Sequence, residues 1–103
     1  MIKLLLFYHM PITLCVPKVN EKYSYQEVYN IFSQYNFGRI EYINIVPNAI
    51  NSWKIYIKYY YWFYNEKNNK IKKILSEDRG HFKIIVDEPN YWKCFIAKSS
   101  AKQ

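Results

Sequence analysis

In the stretch SWKIYIKYYYWFY (52–64), Lys54, Tyr56 and Lys58 alternate with Ile55, Ile57 and Tyr59. Successive side chains of a strand point to opposite faces, so this spacing makes one apolar face and one Lys-Tyr-Lys row. A ring between two ammonium groups suits one chemistry in particular: the ring stacks on an unpaired base while the lysines neutralise phosphates. The competing reading of the same row is a solvated sheet face, where Tyr56 covers an aliphatic stem and the lysines keep the surface soluble.

Catalytic chemistry is not indicated elsewhere. His9 and His81 are isolated, and Asp78, Asp87 and Glu88 have no second carboxylate, nucleophile or ligand at a working spacing. Cys15 and Cys94 lie far apart with no CxxC and no histidine at ligand distance, so neither a metal site nor a disulfide framework is expected. Cys15 reads as a small, buried or half-buried thiol. Gly38 and Gly80 are the two glycines, too far apart for a phosphate-cradling loop. A binding module that is not an enzyme, with no cofactor, no metal and no small-molecule substrate, is the expectation.

The 103 residues suffice for one core, and half of them are apolar and a fifth aromatic, which places the chain among folded globules. A net charge of +7 and a pI near 9.4 favour an acidic partner. Over-use of Lys, Asn, Ile and Tyr, residues that AT-rich codons encode, weakens both the charge and the twelve tyrosines as arguments. Position within strands therefore has to carry the case. No apolar run approaches the ~18 residues of a membrane-crossing helix, and a reduced intracellular location is the default.

Several elements must position the row. Ile12, Leu14 and Val16 alternate with Thr13 and Cys15 up to Pro17, a first strand with Thr13 and Cys15 facing away from the core. Ser24-Tyr25-Gln26-Glu27 is a capping box, and Val28, Ile31, Phe32 and Tyr35 follow at helical spacing, with Gly38 expected to end the helix in a left-handed conformation. Residues 40–45 form a strand with apolar side chains in both registers, and Asn48 to Ser52 connect it by a hairpin to a strand over Ser52 to Tyr59. Tyr60 to Tyr64 lead into a second helix opening at Asn65-Glu66, with Ile71, Ile74 and Leu75 inside and Lys67, Lys70, Lys72 and Lys73 outside. After the Arg79-Gly80 turn, Phe82, Ile84 and Val86 make the last strand. Beyond Pro89-Asn90, the segment YWKCFI either returns as a short strand or packs across the sheet.

The order strand, helix, strand, strand, helix, strand is the split βαβ, ferredoxin-like βαββαβ pattern: an α+β fold, with a four-stranded antiparallel sheet and two helices on one face. The other face would then present Thr13, Cys15, Lys54, Tyr56, Lys58, Lys83 and Ile85. Residues 1–9, within MIKLLLFYHMPITLC, read as an apolar leader or extra strand rather than a processed signal. Residues 10–97 form the domain, and 98–103 a flexible tail.

From Ile12 to about Val86 the chain resembles an RNA recognition motif. EVYNIFSQYNFGRIEYINIV looks like the family's first helix and second strand, SWKIYIKY falls on its third-strand motif and ITLCVP on its first. Tyr56 matches one stacking aromatic, while Lys54 and Thr13 occupy the positions of the other two and Trp53 replaces a glycine. The strings LCVPKV, GRIEYINIVP, WKIYIKY and FKIIVDEPNYWK further resemble short proteins of this type, of unassigned function, encoded by giant DNA viruses. That likeness implies a host cytoplasm or viral factory as location, with the virion as the alternative.

The resemblance implies weak binding of single-stranded RNA, or single-stranded DNA, by Lys54, Tyr56, Lys58, Thr13 and Lys83. The alternative is a protein-interaction or structural module, docking a viral protein or a second copy through Tyr91, Trp92 and Phe95.

Overall fold

The computed structural model describes residues 11–97; the leader of residues 1–9 and the tail of residues 98–103 lie outside them. Seven elements occur among the described residues: β1 (Ile12–Val19), α1 (Tyr25–Ser33), β2 (Gly38–Pro47), β3 (Trp53–Trp62), α2 (Glu66–Leu75), β4 (His81–Asp87) and β5 (Asn90–Ile96). The fold is α+β. One antiparallel sheet has the order β2-β3-β1-β5-β4.

The sheet thus has five strands, not the four expected, and the difference lies after Pro89. Trp92 and Cys94 alternate with Tyr91, Lys93 and Phe95, so this segment is as strand-like as its predecessor. It takes the place beside β1, with Leu14 opposite Ile96 and Cys15 opposite Phe95. β4, expected to be the last strand, is pushed to the outer edge, where Ile84 faces Trp92 and Lys83 faces Lys93. The central position suits Trp92, a large ring that needs cover. It is 8% exposed, with the Tyr23 ring edge-on at 5.0 Å and the Phe32 ring at 6.2 Å.

Register explains the core. Ile12, Leu14 and Val16 stand opposite Tyr59, Ile57 and Ile55, and Ile43 stands opposite Ile57, all on one sheet face. Val28 and Phe32 of α1 and Leu75 of α2 join the same buried cluster, so both helices cover that face. β2, ambiguous by pattern, is settled by this cover: Ile43 and Ile45 turn inward, leaving Tyr42, Asn44 and Val46 outward.

Three boundaries move for local reasons. β1 runs past Pro17 through an irregularity to the buried Val19. β3 continues to Trp62 because β2 pairs along it, Gly38 opposite Trp62 and Arg39 opposite Tyr61, so residues 60–62 are strand rather than a lead-in to the helix. α1 starts at the capping box, where the Glu27 amide donates to Ser24 Oγ (3.1 Å) and the Ser24 amide to Glu27 Oε1 (2.8 Å). It stops at Ser33, and the left-handed residue that follows is Asn36 (φ 54°), not Gly38. Gly38 serves close approach instead, since a Cβ there would collide with the Tyr61 carbonyl oxygen.

Asn68 of α2 ties the two connections into the sheet together. It is fully buried, and its Nδ2 donates to the carbonyls of Asn36, Phe37 and Phe63 at 3.2–3.3 Å. Trp62 Nε1 in turn donates to the Asn68 carbonyl (2.9 Å). These contacts reinforce the bond by which the Phe63 amide donates to the Phe37 carbonyl (2.8 Å) between the same two connections.

Candidate functional site

With the helices on one face, pairing register decides what the other face presents. One line of directly opposed residues crosses all five strands: Asn44, Tyr56, Cys15, Phe95 and His81. Beside it, two residues along each strand, lie Lys54 on β3 and the facing pair Lys93 and Lys83 on β5 and β4, with Pro17 between them on β1. On the opposite side run Tyr42, Lys58 and Thr13. Tyr91 and Ile85 face each other at the far corner and are 46% and 52% exposed.

Residues that the sequence placed on this face are therefore brought together: Thr13, Lys54, Tyr56, Lys58 and Lys83. Tyr91 and Phe95, expected to serve protein docking, stand on the same face. Trp92 does not. As the residue between two outward side chains of a strand it points into the core, and it is no surface anchor. The sequence reading did not place Tyr42, Asn44, His81 or Lys93 here. The available signal for Lys93 and Phe95 was the period-two alternation of YWKCF, the same pattern that marked Lys54 and Tyr56.

Charge on the face is uneven. Lys58 Nζ lies 3.6 Å from Glu41 Oε1 and 5.9 Å from the centre of the Tyr42 ring, so part of its charge is already answered. Lys83 Nζ sits 4.5 Å over the Tyr91 ring, an arrangement that holds the ammonium at the surface without neutralising it. Lys54, Lys83 and Lys93 make no ion pair with a carboxylate among the described residues. The Phe95 and His81 rings lie 5.0 Å apart at 31°.

Cys15 is half-buried between Tyr56 and Phe95. Burial raises its thiol pKa, and nearby Lys54 opposes that shift. Cys94, on the core side of β5, is pushed up to about 12 by burial, with Cys15 adding to it. Both thiols are free, and their side chains leave the sheet on opposite faces.

The basic helix α2 contrasts with the sheet face. Lys67 donates to the Tyr35 carbonyl (2.6 Å) and lies 5.0 Å over the Phe37 ring, while Lys70 pairs with Glu66 at 4.0 Å, four residues earlier. Lys67 is held against the end of the first connection, whereas the Lys70–Glu66 pair is exposed. No helix among the described residues is long and apolar enough to cross a membrane, and no three His, Cys, Asp or Glu side chains gather closely enough to hold a metal ion there.

No protein-family model, curated protein or solved structure matches the chain.

Proposed function

We propose that the protein is a non-enzymatic module that binds single-stranded nucleic acid, RNA in the first place and DNA as the alternative, on its open sheet face. The sheet is read as an RNA-recognition-motif-like βαββαβ arrangement with β4 added outside β5. β1 is the middle strand, with β3 and then β2 on one side and β5 and then β4 on the other.

The observation that carries the reading is the coincidence, on the face the helices leave bare, of a line of rings with a line of cations. Bases gain ~1–3 kcal/mol each by stacking on aromatic side chains, and phosphates are neutralised by lysines. Tyr56 is the central platform, flanked on its own strand by Lys54 and Lys58. Burial of Trp92 removes from the protein-docking reading its largest side chain, while Tyr91 and Phe95 stand on the same face as Tyr56 and its lysines.

Fluorescence anisotropy with pooled single-stranded RNA oligonucleotides at low salt tests the proposal. Tyr56→Ala should weaken binding about tenfold, the size of one lost stacking contact. Lys54→Ala should weaken it and flatten its salt dependence. Absence of binding, or binding unchanged by both substitutions, refutes it.

A further inference from the structure

Tyr56 belongs to β3 and Phe95 to β5, with β1 between them, so their rings stand two strand spacings apart, about 10 Å. Consecutive bases in a stacked strand are only ~3.4 Å apart. Two neighbours stacked on each other therefore cannot occupy both rings. The residue between the rings is Cys15, the smallest side chain of the ring line and partly exposed, which places a middle base over it. Beyond Phe95, the His81 ring extends the second platform to the edge strand.

The lysine line fixes the side on which the backbone lies. Lys54, Lys93 and Lys83 run parallel to the ring line at a distance of two residues along the strands, about 7 Å. That offset suits a nucleotide whose base covers a ring and whose phosphate reaches an ammonium. On the other side, Lys58 is engaged by Glu41, and Thr13 brings no charge.

Resting on the single-strand reading above, we propose that Phe95 with His81 forms a second base platform, and that Lys54, Lys93 and Lys83 form a phosphate track. The site accordingly takes a three-nucleotide segment of single-stranded nucleic acid lying across the strands, with its outer bases on Tyr56 and Phe95 and its middle base over Cys15. Phe95, His81 and Lys93 become binding residues on β4 and β5, the part of the sheet that the third-strand motif does not reach. An acidic protein surface would meet the same lysines but gain nothing from the paired rings.

The test is anisotropy of fluorescein-labelled oligouridylates on the full chain, comparing the unsubstituted protein with Tyr56→Ala, Phe95→Leu, Lys93→Gln and, on α2, Lys70→Gln. Phe95→Leu keeps an apolar side chain while removing the ring, and far-UV circular dichroism with urea midpoints checks that it folds. Phe95→Leu should weaken binding about tenfold. Lys93→Gln should reduce the slope of log K against log salt by about 0.7, as one phosphate contact is lost, and Lys70→Gln should leave that slope unchanged. Bound oligonucleotide should also slow alkylation of Cys15 by iodoacetamide. If Tyr56→Ala weakens binding while Phe95→Leu and Lys93→Gln bind like the unsubstituted protein, the track is wrong and the single-strand reading stands. If the unsubstituted protein binds no oligouridylate at low salt, both are wrong.

Discussion

Cys94 shows how burial at a single residue becomes a property of the whole fold. Its thiol is inaccessible and its pKa is pushed up to about 12, against 9.0 for an ordinary thiol. Between those values the unfolded chain loses a proton that the folded chain keeps, so stability must fall as pH rises through that window. Cys15, raised in the same direction, adds to the decline, and Tyr59, raised by burial in the core, joins only above its ordinary value of 10.0. Urea midpoints should therefore drop between pH 9 and 10, and drop less steeply in Cys94→Ala. A midpoint that rises with pH in the unsubstituted protein would contradict this account of the core.

At the scale of elements, the outer edge of β4 is closed by a side chain from a helix partner. The Tyr35 hydroxyl, just beyond α1, donates to the Ile85 carbonyl (2.8 Å) and accepts from the Ile85 amide (3.0 Å). An edge strand otherwise offers such groups to other chains, and here the middle of β4 is occupied. Tyr35→Phe should cost about 1 kcal/mol in urea unfolding. It should also speed hydrogen exchange at the Ile85 amide, and exchange there no faster than in the unsubstituted protein would deny Tyr35 this role.

Much of the element pattern was legible in local sequence. The Ser24 capping box, the Asn65 helix start and the alternation in β1 and β3 are short-range signals. What stayed hidden depends on partners distant in sequence. FKIIV and YWKCF alternate equally well, and neither string shows that the second pairs with β1 and buries Trp92 against Tyr23 and Phe32. Gly38 likewise reads as a helix terminator until the Tyr61 backbone is set against it. For the same reason the lines on the face opposite the helices were half visible. Tyr56 and its two lysines share one strand, but Phe95, His81 and Lys93 join them only through the register of β5.

At the scale of the described molecule, two groups of four lysines stand out: Lys54, Lys58, Lys83 and Lys93 on the sheet face opposite the helices, and Lys67, Lys70, Lys72 and Lys73 on α2. The proposed ligand lies on the sheet, where rings and lysines run in parallel lines, whereas on α2 Lys67 is engaged by the Tyr35 carbonyl and the Phe37 ring and Lys70 lies beside Glu66. Mapping backbone amide shifts by NMR while single-stranded RNA is titrated into the protein tests that assignment directly. Shifts should concentrate on residues 13–15, 54–58, 81–83 and 93–95, grow as salt is lowered, and leave α1 and α2 unmoved. Shifts confined to α2, or none at any salt concentration, would contradict the claim that the open sheet face is the binding surface.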